Sequence, residues 1–192
     1  MGEHAQLEHG HAEHGGDKRT ALLIAILALF LALVGTGAKS SQTEVILRNG
    51  EASNLWAFFQ ARTIRQTAVR TAAEQAELQK ATTADPAARA AIEAQQKLWL
   101  DTAAKWESEP GTGEGRKELT QRARHSEEER DLSMAKYHFY EYSAALFEIA
   151  IVIASASIVT AVPTLGLLSI ALGVGGLGMG AIGFFAPLAF HF

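Results

Sequence analysis

The hydrophobicity of this chain is blocked rather than periodic, and the blocks decide what it can fold into. Ala21 to Val34 carries no charge, and from Ser143 to Phe190 the one formal charge is Glu148. Between them, Lys39 to Glu141 holds 15 basic and 16 acidic side chains, well interspersed. A bilayer core about 30 Å thick needs roughly 20 apolar helical residues, so the first block reads as one span and the second as two. The expected fold class is an all-α integral membrane protein: three transmembrane helices with a long helical extramembrane insert between the first and second. The expected segments are a polar tail at 1–19, spans at 20–38, 143–162 and 165–190, and a tight turn at 163–164. A coiled-coil-like helical region fills 39–142, with loops near 83–86 and 109–115.

Lys18 and Arg19 ahead of an apolar run, with small residues at Thr36-Gly37-Ala38, imitate a cleaved signal peptide. The long acidic segment before them and the length of the run favour a retained anchor. A net charge of −4 and an evenly mixed middle leave no phosphate-binding footprint, so nucleic acid is not an expected partner. The absence of cysteine excludes disulfides and thiolate metal sites. In the tail, His4, His9, His11 and His14 stand near Glu8 and Glu13, a spacing that a borderline metal could use. Gly10, Gly15 and Gly16 argue instead for a flexible polar tail, and no metal or cofactor is expected.

The middle is rich in helix formers. Asn49-Gly50 is its internal breaker and predicts a kink or an interruption. Asp85-Pro86 marks a restart, an acidic cap followed by proline at the first helical position. Ile92, Trp99 and Trp106 recur every seven residues, which places both indoles on one stripe that packs against a neighbouring helix. Glu109 to Gly115, with a proline and three glycines, is a loop. Nothing then stops a helix from Arg116 to Val162, roughly 70 Å long at 1.5 Å per residue.

Pro163 ends the second span and predicts a tight hairpin with the third. Gly166, Gly173, Gly176, Gly180 and Gly183 share one helical face, and Ala150, Ala154, Ser157 and Ala161 give the second span a matching one. Small residues allow backbone contact, where packing drives association in lipid. These faces close on each other within the hairpin or between subunits. The two G-x-G-x-x-G matches in the third span lie in an apolar helix with no strand before them, so neither is a dinucleotide fingerprint. No catalytic constellation is present.

Glu148 is the remaining candidate for chemistry, because ionisable residues in spans often mark ion pathways. Tyr137, Tyr140 and Tyr142 resemble an interfacial aromatic belt. Glu148 lies six residues beyond Tyr142, roughly 9 Å deeper at the helical rise, which is short of the midplane and favours a structural or interfacial role.

The run Asn54 to Gln66, NLWAFFQARTIRQ, together with the His/Glu-rich tail and a closing YEYSAALFEIAIVIASASIVT before a glycine-rich span, resembles a bacterial family catalogued as domain of unknown function 4337. The resemblance covers nearly the whole chain and implies a small bacterial inner-membrane protein of this layout, with no established activity to carry over. On a helix, Trp56 and Phe59 share a face with Thr63, while Arg62, Arg65 and Gln66 lie around another. The run either packs against the Trp99/Trp106 stripe or forms a docking surface for a protein partner.

The function expected is a non-enzymatic, multi-pass membrane protein that acts as a self-associating scaffold or interaction subunit. Its partners would be the lipid bilayer, a second copy of itself and a protein met through the helical region. The alternative is an ion-conducting or energy-coupling subunit using Glu148, since the layout is similar to that of energy-transducing stator subunits. Lys39, Arg48, Arg124, Arg130 and Lys136 outnumber Lys18 and Arg19, which favours a cytoplasmic helical region with the tail outside.

Overall fold

A computed structural model describes the backbone of residues 3–189 and the side chains of residues 18–189. The described residues form four helices and no strand: α1 (Glu3–Thr82), α2 (Pro86–Glu107), α3 (Arg116–Thr160) and α4 (Pro163–Phe185). α1, α3 and α4 are each long and apolar enough to cross a membrane. Much of their apolar surface faces outward: Leu22, Leu29, Leu33, Val152, Val159 and Leu167 are exposed. An apolar surface of that extent is rare on proteins surrounded by water.

The helix ends follow local chemistry. Asp85 caps α2 by accepting from the Ala87 N–H at 3.1 Å, with Pro86 at the first helical position. α3 ends at Thr160, and Ala161 turns the chain in the left-handed region at φ 53° before Pro163 opens α4. The predicted interruption at Asn49-Gly50 does not occur, and α1 runs through it. A helical glycine costs about 1 kcal/mol relative to alanine, which the burial of Ala52 and Leu55 in the next turn outweighs.

The chain divides into two compact units, Met1–Val45 with Asp131–Phe192, and Ile46–Arg130. In the first, Leu27, Phe147 and Ala150 form a core against which Leu23, Phe30, Val34 and Leu172 pack. Phe30 and Phe147 stack at 5.9 Å. Two buried hydroxyls tie α3 to α4: Ser143 donates to the Gly176 carbonyl at 2.7 Å, and Ser169 donates to the Ala150 carbonyl at 2.8 Å. Both helices run unbroken through these positions, so each hydroxyl adds a bond between them.

In the second unit, residues 46–82 of α1 pack against α2 and against the start of α3. Leu55, Leu119 and Ala123 form its core, with Trp56, Phe58 and Phe59 packed against it. Gln96 holds α2 to α1 by donating to the Ala73 carbonyl at 3.1 Å and to Glu77 at 3.0 Å.

Candidate functional site

The inward stripe of α1 in the second unit falls at Ala52, Leu55, Phe59, Arg62 and Gln66, alternating steps of three and four, all buried but the half-buried Phe59. That spacing keeps one face of a helix turned to its neighbours. It places a guanidinium and an amide where a coiled-coil seam ordinarily has leucine. Both are buried, Arg62 at 9% and Gln66 at 2% exposure. Buried polar groups of this kind must be hydrogen-bonded or they cost stability.

Partners arrive from distant parts of the chain. Gln66 Nε2 donates to the Ala103 carbonyl at 2.8 Å and to Glu107 Oε2 at 2.9 Å. Its Oε1 accepts from Arg116 Nη1 at 2.8 Å, so both ends of the amide are satisfied. Arg116 also donates to Thr63 Oγ1 at 3.0 Å and to Glu107 Oε2 at 2.8 Å, with its guanidinium 4.9 Å from the Phe59 ring centre. Arg62 pairs with Glu114 at 2.7 Å and lies over Phe58 at 5.3 Å. Its buried Nε has no hydrogen-bond partner. Trp56 Nε1 donates to Glu127 Oε1 at 2.9 Å.

The loop between α2 and α3 is built around Glu118, which accepts from Ser108 Oγ at 2.6 Å and from the Glu109 N–H at 3.1 Å. Gly115 is required there, since a Cβ would collide with the Glu118 carboxylate, the Glu109 nitrogen and the Ser108 Cα. Hydrogen bonding from Gln66, with the Arg116 charge beside it, holds Glu107 below its ordinary pKa. The Ser108 hydroxyl and the Glu109 N–H do the same for Glu118. Both carboxylates are therefore firmly ionised at neutral pH.

This network absorbs three of the six residues that the sequence offered as a docking surface, Trp56, Phe59 and Arg62. Arg62 is buried, and Trp56, Phe59, Trp99 and Trp106 are half-buried, leaving Arg65 exposed. The aromatic run packs on Leu55 of its own helix and on Leu119 and Ala123 of α3. Trp99 lines a shallow groove with Ala76, Gln79, Ile92 and Gln95. Sequence reasoning missed Glu107, Arg116 and Glu118. The available signal was the placement of Arg62 and Gln66 on the same stripe as Ala52, Leu55 and Phe59, which demanded partners of opposite polarity.

The small-residue faces close within the chain. A Cβ on Gly173 would meet Leu27, one on Gly176 would meet the Phe147 ring, and one on Gly180 would meet Ser143 and Val34. One on Gly183 would meet Phe139, and Gly166 faces Ser157. Ala150 and Ala154 are buried and Ser157 is half-buried, whereas Ala161 lies exposed in the turn. Glu148 is exposed beside buried Phe147 and Ala150, on the side of α3 turned away from that core. His4, His9, His11 and His14 lie outside the described side chains. Among the described residues no group of three or more His, Asp or Glu is placed to hold a metal ion.

A family model described as a domain of unknown function, DUF4337, matches residues 16–186, and the chain belongs to that family. No curated protein and no solved structure matches it.

Proposed function

We propose that this chain is a non-enzymatic, three-span membrane protein that works as a self-associating scaffold, presenting its helical unit as an interaction part. The observation that carries this reading is the use made of the polar side chains. Arg62, Gln66, Glu107, Arg116 and Glu118 are spent on joining three helices and a loop. Neither of the two grooves along α1 and α2 is lined by any of them as a base, nucleophile or anion holder, the arrangement that a catalytic site needs. A helical unit held together by hydrogen bonds, in a chain with three apolar spans, suits presentation of a surface.

The glycine face of α4 is filled by the chain's own Leu27, Phe139, Ser143 and Phe147. Self-association therefore uses outward surfaces rather than the hairpin seam. The proposed location is the bacterial inner membrane, with the helical unit on the cytoplasmic side, as the excess of Lys and Arg flanking it suggests. Protease accessibility in sealed vesicles of known orientation tests the sidedness. Native mass spectrometry of the extracted protein tests the function: an oligomer is expected, and a strict monomer at all detergent concentrations would overturn it.

A further inference from the structure

α1 carries a second seam, on the side turned away from α2 and α3. Asn54, Ala61 and Ala68 repeat at seven-residue intervals, and Ala57, Ile64 and Leu78 fall on the complementary heptad position; all six are exposed. Ile64 is 70% and Leu78 is 71% exposed. From Leu47 to Leu78 no position of this seam is charged, although Arg65 and Glu74 flank it. Those charges make lipid a poor cover for the seam, and a second helix a good one. We propose that it pairs with the same seam of a second copy, parallel and in register, as a two-stranded coiled coil. The inference rests on the self-association proposed above and names its surface.

Four observations select a second copy. The alternating steps of three and four are the repeat that winds two helices into a left-handed coil, and alanines let them approach closely. Copies anchored by the same preceding apolar segment leave the membrane in one direction and at one height, which fixes a parallel, in-register pair. In that register Gln60 faces Arg65 of the second copy and Glu74 faces Gln79, so no flanking pair sets like charges together. Asn54 occupies the position where an asparagine pair specifies two parallel strands and their register. A seam from 47 to 78 is about 47 Å long and about 10 Å wide at helical dimensions. That gives on the order of 900 Å² over both partners, below the roughly 1,000 Å² that a specific interface between freely diffusing proteins clears. Confinement in one membrane then supplies the effective concentration that the area alone does not.

The chain has no cysteine, so single cysteines report cleanly. Full-length Ala61→Cys and Ala68→Cys, in vesicles and treated with a short bis-maleimide, are expected to give a dimer. Ala94→Cys, exposed on α2, is expected to stay monomeric. Adding Ile64→Glu to Ala61→Cys is expected to remove the dimer while the circular dichroism spectrum stays unchanged. Absence of dimer at both 61 and 68, equal dimer at 94, an adduct of a different mass, or a dimer that survives Ile64→Glu would overturn the seam. Native mass spectrometry of the unmodified chain separates the two failures. An oligomer with no cross-link at 61 or 68 removes the seam and leaves self-association standing, whereas a monomer removes both.

Discussion

Arg116 reaches Gln66 across 50 residues of sequence, its Nη1 donating to Gln66 Oε1 at 2.8 Å while the same nitrogen bonds Glu107 Oε2 at 2.8 Å. One amide thereby joins α1, the end of α2 and the start of α3. Replacing it with an apolar side chain of similar size strands the donors and acceptors around it. Gln66→Leu is expected to destabilise the helical unit by about 2–3 kcal/mol, the cost of buried groups left without partners. Thermal unfolding followed at 222 nm measures it. A melting temperature equal to that of the parent would show that water replaces the amide freely.

The same junction sets an acid limit. Glu107 and Glu118 both titrate below their ordinary value of 4.5 in the folded unit. A depressed carboxyl pKa means that the unfolded chain binds more protons, so the stabilisation is complete above the unfolded value and is lost as pH falls through the folded one. Unfolding midpoints of the helical unit are expected to be flat near neutrality and to drop below pH 4.5. Ser108→Ala, which removes the largest influence on Glu118, is expected to shrink that drop. An identical acid profile in the variant would remove Glu118 from the account.

How far these features were legible depends on how local their causes are. The start of α2 could be read from Asp85-Pro86 because cap and proline act within two residues. The turn before α4 could be read from Pro163 alone, since Val162 offers no side-chain cap. The inward orientation of Arg62 and Gln66 left only one trace in the sequence, their place on the stripe of Ala52, Leu55 and Phe59. A guanidinium and an amide read as surface until Glu114, Glu107 and Arg116 are brought to them, and those partners lie 52, 41 and 50 residues away. The continuity of α1 through Asn49-Gly50 was hidden likewise, since the packing that overrides the local propensity belongs to Leu119 and Ala123. The choice between closing the glycine face within the chain or between chains needed the positions of Leu27 and Phe139.

That glycine face makes graded predictions. A Cβ on Gly183 would stand 2.8 Å from the Phe139 Cβ, which cannot swing aside without moving the backbone of α3. On Gly173 it would meet Leu27 Cδ2 at 2.7 Å, the movable end of a side chain. On Gly178 it would meet nothing within 4 Å. Gly183→Ala is therefore expected to destabilise the hairpin by about 1–3 kcal/mol, as overpacking does. Gly173→Ala is expected to cost less, and Gly178→Ala to be neutral. Thermal stability in detergent ranks the three, and a reversed order of Gly183 and Gly178 would refute the packing.

Ala161 holds φ 53° at the turn between α3 and α4, a conformation that costs a residue with a Cβ about 1–2 kcal/mol. Glycine pays no such penalty but loses more backbone freedom on folding. The net expectation for Ala161→Gly is a gain of a few tenths to about 1 kcal/mol, seen as a raised melting temperature. A lowered one would mean that the alanine methyl contributes packing to the turn.

Glu148 decides between the scaffold and an ion pathway. A conducting carboxylate needs polar groups above and below it on a protected face, because isolated charge in hydrocarbon is expensive. Here the neighbouring interior position is filled by Phe147, stacked on Phe30, and Glu148 faces away from both. Ser155, the polar residue two turns deeper, spends its hydroxyl on the Ile151 carbonyl of its own helix at 2.8 Å. Glu148→Gln keeps the shape and removes the titrating proton. Reconstituted vesicles carrying either form are expected to show the same slow decay of an imposed proton gradient, indistinguishable from protein-free vesicles. A gradient that collapses faster with the parent than with Glu148→Gln would assign proton movement to this carboxylate and replace the scaffold reading with the energy-coupling one.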